Sequence, residues 1–183
     1  MSLVLGYCDE KHAIIASDGR AGGTVCPSES YDKTRRINQN IIMGFTGYKE
    51  PCEYFIKCTY MEMGDNVQDY FIECYLEIVE YGLNLPEMKE YMQSTFMIIG
   101  KTRDMNMRFV LVGESTGYEI KDVSIKNPSI SFIGGYLPTK AIREICTRHI
   151  SEETEPISIM KNIIIEVSSL DSSVNTNCFF KSL

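Results

Sequence analysis

Leu3-Val4-Leu5-Gly6-Tyr7-Cys8 and Ala13-Ile14-Ile15-Ala16-Ser17 are two short apolar runs separated by the polar tetrapeptide Asp9-Glu10-Lys11-His12. Apolar, β-branched segments joined by so short a polar link predict a hairpin. Folding that hairpin lays the second strand beside the first. Asp18 and Arg20, which follow it, are thereby carried back towards Ser2. Once Met1 is removed, Ser2 has a hydroxyl and a free α-amine on one residue. An α-amine with a reference pKa of about 8 is able to act as base for its own side chain. Working outward, Asp32-Lys33-Thr34-Arg35-Arg36-Ile37 supplies a lysine, and Ile41-Ile42-Met43-Gly44-Phe45-Thr46-Gly47 a buried strand that ends in glycine. A hydroxyl, a carboxylate, an ammonium and a glycine turn all fall within the first quarter of the chain.

These residues in this order resemble the N-terminal nucleophile hydrolases, in particular proteasome β-subunits and the ring-forming peptidase of the bacterial ATP-dependent heat-shock protease. Ser2 falls where the family has its N-terminal threonine, and Asp18 at the family's aspartate with the same separation. Asp18-Gly19-Arg20-Ala21 is similar to the family's run at that point. Lys33 matches the catalytic lysine when one residue is deleted in the glycine loop around Gly22-Gly23. Gly44-Phe45-Thr46-Gly47 places Gly47 at the oxyanion-hole amide. Asp171-Ser172-Ser173-Val174 resembles the family's late segment, in which Asp171 and Ser173 would orient the α-amine. The resemblance implies an α+β fold, a four-layer αββα sandwich spanning residues 1–183 as one domain. It also implies a ring-forming homo-oligomer with room for an ATPase partner.

Charge and composition narrow the function classes. The net charge of −7 opposes a nucleic acid partner, since phosphate contacts need basic clusters and the cations here are scattered. No apolar run reaches the roughly 20 residues of a membrane span. Seven cysteines, at 8, 26, 52, 58, 74, 146 and 178, contain no C-x-x-C pair and are expected to be reduced thiols packed as small hydrophobes in the cytoplasm. His12 and His149 are the two histidines, and with no Cys/His cluster a metal site is not expected. No cofactor is expected either.

Further along, strands are expected over 30–37 and 41–46, then a helix from Tyr48 ended by Gly64. A second helix is expected from a cap at Asp65 or Asn66, with an apolar stripe from Val67 to Tyr81, closed by Gly82 and Pro86. Its aromatics read as core packing. Strands follow over 95–100, 107–113, 117–125 and 130–135. Pro138 and Pro156 each open a helix, and 177–180 is a last strand, edge or central. Strands and helix pairs segregated in this way predict layers.

Two readings of function follow from the resemblance. In the first, Ser2, Asp18, Lys33, Gly47, Asp171 and Ser173 form the catalytic set of a metal-free hydrolase acting on a peptide or a small amide. In the second, the chain is a degenerate subunit of the same fold, a ring scaffold or interaction protein. Two departures motivate the second reading. Phe132-Ile133-Gly134-Gly135 stands where the family has a Gly-Ser-Gly segment, with Ser131 out of register. Asn175-Thr176 stands where the family has glycines after Val174.

Overall fold

A computed structural model describes residues 2–21, 28–86, 88, 92–125 and 128–183. The Gly22-Gly23 turn, the Cys26-Pro27 breaker and Met1 lie outside the described residues. Strands β1 (Leu3–Cys8) and β2 (Ala13–Asp18) form the expected hairpin, with Val4 opposite Ser17. Its turn is tied by Asp9, whose N–H donates to the His12 carbonyl and whose Oδ1 accepts the N–H groups of Lys11 and His12, each at 2.7 Å. On either side lie β8 (Ser129–Gly134) and β9 (Cys178–Ser182), giving a sheet of order β8-β1-β2-β9. The second sheet runs β3 (Thr34–Asn38), β4 (Ile41–Gly47), β5 (Ser94–Lys101), β6 (Met107–Gly113) and β7 (Lys121–Asp122). All the pairings are antiparallel.

Alternation along these strands builds three apolar layers. Leu3, Leu5 and Tyr7 face helices α3 (Thr139–Glu152) and α4 (Pro156–Leu170), meeting Ile142, Ile163 and Val167. Val4, Cys8 and Ile15 face the other way and pack on Ile42, Met97 and Phe109 of the second sheet. That sheet's outer face, with Met43, Phe45 and Phe96, packs on α1 (Lys49–Met63) and α2 (Ile72–Asn84) through Phe55, Tyr75 and Val79. Residues two apart share a face, so each central strand serves two cores. The result is the α+β, four-layer αββα sandwich.

Glycine sets how closely the two sheets approach. A Cβ on Gly6 would stand 2.4 Å from Phe109 Cζ, and one on Gly44 would stand 2.6 Å from Val4 Cγ1. On the far side, His149 joins α3 to α4: Nδ1 lies 3.1 Å from Glu153 Oε1 and Nε2 lies 2.8 Å from Glu166 Oε2.

The structure corrects several expected boundaries. The second helix begins at Ile72, not at a 65/66 cap, and Gly64–Asp69 is a 3₁₀ turn. Asn38 Nδ2 donates to the Val67 and Tyr70 carbonyls at 2.7 and 3.0 Å, so those acceptors serve the β3–β4 turn rather than a helix. Helix α2 also runs through Gly82 to Asn84. The missing side chain there admits Phe55, whose ring carbon is 2.9 Å from where a Cβ would sit. Tyr81, expected in the packed stripe, is exposed.

The strand expected over 117–125 shrinks to Lys121–Asp122. Thr116 Oγ1 accepts from Gly113 N and bonds the Gly113 and Glu119 carbonyls, which folds 113–119 into a turn. Strand β3 starts at Thr34 because the Asp32 carboxylate caps Thr34 N and Oγ1. Strand β9 is an edge. The six cysteines among the described residues are free, and no helix among those residues is long and apolar enough to cross a membrane.

Candidate active site

The hairpin does what its sequence requires at the chain's start. Leu3 N donates to Asp18 Oδ1 at 2.9 Å, and the Ser2 hydroxyl donates to the Arg20 carbonyl at 2.9 Å. Asp18 is fully buried at the end of β2, and Lys33, 3% exposed, enters from the segment before β3. Lys33 Nζ donates to Asp18 Oδ1 at 2.7 Å and to the Asp18 carbonyl at 2.6 Å. Asp18 Oδ2 accepts Arg20 N at 3.0 Å and Asn175 N at 3.3 Å. Every oxygen of this buried carboxylate is therefore partnered, as burial of a charge demands. Burial pushes the Lys33 ammonium below its ordinary pKa, against the opposing pull of Asp18.

A second edge of the site comes from β8. Gly135 N donates to the Ser2 carbonyl at 2.9 Å, and Gly134 adopts φ +84°. A Cβ on Gly134 would lie 1.8 Å from the Ser2 carbonyl oxygen and 3.0 Å from Thr46 Cγ2. The end of β4 therefore reaches the same corner as Ser2. Gly47, the next residue, has φ +121°, and a Cβ there would meet Ser94 Oγ at 2.3 Å. Glycine is required at both places. Beside this corner opens a groove of about 460 Å³, with Thr95, Ser131, Phe132, Thr139 and Arg143 among its lining residues.

Asp171 and Ser173 sit one step away from Ser2. Asp171 Oδ1 accepts Ser173 N at 2.9 Å and Ser173 Oγ at 2.6 Å, and Oδ2 accepts Tyr136 N at 2.5 Å. Desolvation raises the Asp171 carboxyl, but the hydrogen bonds from Ser173 and Tyr136 outweigh it and hold the pKa below its usual range. This pair anchors the segment after β8 whose Gly135 N–H holds Ser2. Ser131 pairs with Gly6, well along β1 from Ser2.

Solved structures share this arrangement of layers. HslV from Trypanosoma brucei superposes with a TM-score of 0.74 at 12% identity, covering 99% of this chain and 98% of HslV. The Gly-1 mutant of Anbu from Hyphomicrobium sp. strain MC1 gives 0.77 at 12% identity, over 98% of this chain and 80% of Anbu. Anbu from Yersinia bercovieri, described as an ancestral beta-subunit, gives 0.74 at 13% identity over the same shares. The chain has the proteasome-like fold of the N-terminal nucleophile hydrolases. At this identity the likeness is one of fold alone. No protein-family model matches the sequence, and no curated protein is significantly similar to it.

Within this proteasome-like fold, Ser2, Asp18 and Lys33 come together at one corner, Gly47 belongs to the strand that reaches it, and Asp171 and Ser173 form its outer support. Sequence reasoning missed three participants: the Arg20 carbonyl, Gly134 and Asn175. Gly134 was legible as half of a Gly-Gly pair after an apolar run. Backbone groups carry no sequence signal, and Asn175 read only as a missing glycine.

Proposed function

We propose that this protein is a proteasome-like N-terminal nucleophile hydrolase that cleaves peptide or small amide bonds. The observation that carries the reading is the buried Asp18–Lys33 pair, whose Asp18 Oδ1 also accepts the N–H of Leu3, the residue after Ser2. With Met1 removed, Ser2 Oγ attacks the amide carbonyl and its proton passes to the Ser2 α-amine or to a water. That proton then goes to the departing amine as the C–N bond breaks, leaving an ester on Ser2. Water hydrolyses the ester and restores the hydroxyl. Lys33 lowers the hydroxyl's pKa electrostatically, Asp18 holds Lys33, and the Gly47 N–H faces the oxyanion, where one such donor is worth about 10²–10³ in rate. Asp171 and Ser173 keep the terminus oriented. We place the protein in the cytoplasm, as a homo-oligomeric ring able to engage an ATPase.

A scaffold role is the second reading, favoured by the Ser2 hydroxyl engaging Arg20 while both Lys33 hydrogen bonds go to Asp18. One experiment separates the two. Intact mass first establishes that Met1 is gone, since an acylated Ser2 nitrogen is no base. A serine-directed covalent probe on that processed protein is then expected to label Ser2. Lys33→Ala is expected to cut the labelling rate by several orders of magnitude, as loss of a triad member does. It also leaves Asp18 buried without its cation, at a cost of about 3–5 kcal/mol under either reading, so labelling and not stability discriminates. Processed wild type that never labels leaves the scaffold.

A further inference from the structure

Asn175 occupies the stretch where the sequence departs from the family's glycines, and its side chain is fully engaged. Oδ1 accepts Gly19 N at 2.8 Å and Asn177 N at 3.2 Å. Nδ2 donates to the Glu29 carbonyl and to Glu29 Oε2, both at 2.8 Å. Two N–H donors on one side and two acceptors on the other settle which amide atom is which. With its backbone N–H on Asp18 Oδ2, Asn175 ties together three segments: the end of β2, Glu29 beyond the glycine loop, and its own loop before β9.

These segments carry the site. Glu29 receives the Arg20 guanidinium through Nε at 3.1 Å and Nη2 at 3.0 Å, while Arg20 Nη1 donates to the Ser172 carbonyl. The Arg20 carbonyl takes the Ser2 hydroxyl. Packing here leaves no slack: a Cβ on Gly19 would stand 2.7 Å from the Glu29 carbonyl oxygen and 2.8 Å from Asn177 Cβ. Hydrogen bonds from the Asn175 amide, then from Arg20, hold the Glu29 carboxyl below its usual pKa. Glu29 is exposed, and an exposed ion pair alone fixes little. The neutral Asn175 amide adds four hydrogen bonds in opposed directions, and Asn177 Nδ2 donates to the same Glu29 carbonyl at 2.6 Å without reaching Gly19 N.

We propose that Asn175 is a positioning residue for the Ser2 site, clamping the Asp18–Arg20 turn to Glu29 and so fixing the Arg20 carbonyl and the Asp18 carboxylate relative to the Ser2 hydroxyl. The inference rests on the hydrolase reading above. A glycine at 175 would leave the Gly19 N–H and the Glu29 carbonyl without this partner, so in this chain the clamp is a side-chain device.

The test uses Met1-processed full-length protein and a serine-directed probe, with the inactivation step and the probe affinity measured separately. Asn175→Ala is expected to slow the inactivation step by about 10²-fold, the cost of roughly 1 Å of misplacement, with probe affinity little changed. Asn175→Asp keeps the acceptor for Gly19 N but sets a carboxylate against Glu29. It is expected to be as slow, and to be rescued by a second change, Glu29→Gln. Rescue read in the inactivation step, at unchanged probe affinity and on folded protein, separates positioning from a loss of fold. Amide exchange at Gly19 is expected to accelerate in Asn175→Ala, reporting the clamp independently of labelling. Wild type that labels while Asn175→Ala labels equally fast overturns the inference alone, as does unchanged Gly19 exchange. Wild type that does not label overturns the hydrolase reading and this inference with it.

Discussion

Asp18 is the centre of the corner beside Ser2 because four separate groups reach its buried carboxylate. Lys33 Nζ and the N–H groups of Leu3, Arg20 and Asn175 share its two oxygens. Burying a carboxylate requires that its oxygens be partnered, and here a cation and three backbone donors meet that requirement. Gly134 plays the complementary steric part. Its positive φ and its contact with the Ser2 carbonyl leave no room for a side chain. Gly134→Ala is expected to cost about 2 kcal/mol or more in stability, since strain and clash add. It should also abolish probe labelling of Ser2 by pushing β1 away from Gly135. Denaturant melts alongside labelling check both halves, and an unchanged midpoint would contradict the close approach.

At the level of elements, the β1–β2 hairpin is the device that delivers Ser2 to Asp18, and Asp9 holds its turn. Desolvation raises the Asp9 carboxyl, but hydrogen bonds from the Lys11 and His12 N–H groups, the His12 ring and the Tyr7 hydroxyl prevail and bring its pKa from 3.8 to about 2. A carboxyl depressed on folding stabilises the native state above its unfolded pKa, and the stabilisation is lost as the proton returns. The Asp9 contribution is thus complete above pH 3.8 and disappears as pH falls through about 2. Discounted for its place at the surface, it is worth about 1 kcal/mol. Asp9→Ala should remove it, and with it that part of the acid sensitivity. Urea melts at pH 6 and at low pH test this: a wild-type-minus-mutant difference that does not shrink on acidification would count against it. Elements also mark where local pattern was outvoted. Val67 and Tyr70 fit a helical stripe, yet the Asn38 side chain claims their carbonyls and the helix waits until Ile72.

For the molecule as a whole, two sheets meet across glycines and two helical layers close the outside. Gly6→Ala would drive a methyl into Phe109 and Met97 between the sheets, and is expected to destabilise by about 1–3 kcal/mol as overpacking does. A thermal melt matching wild type would show that the sheets can part freely. The outer face of α1 and α2 exposes Tyr54, Met61 and Tyr81, all more than half accessible. We expect that surface to be covered in a ring, with light scattering at micromolar concentration giving a mass several times that of one chain; a monomer would refute this, and Met61→Glu with Tyr81→Glu should lower the mass. The order of strands and helix pairs and the amino-terminal hairpin that carries Asp18 back towards Ser2 were legible in the sequence, because period-two alternation and a four-residue link are local properties; Lys33 was placed beside them only by the family resemblance. The inter-sheet approach at Gly6 and Gly44, the 3₁₀ turn before α2, the Gly134 contact with Ser2 and the Asn175 clamp were decided by tertiary structure alone. Each depends on which backbone group of a distant segment stands opposite, and a hydrogen bond spanning 156 residues leaves no mark on local sequence.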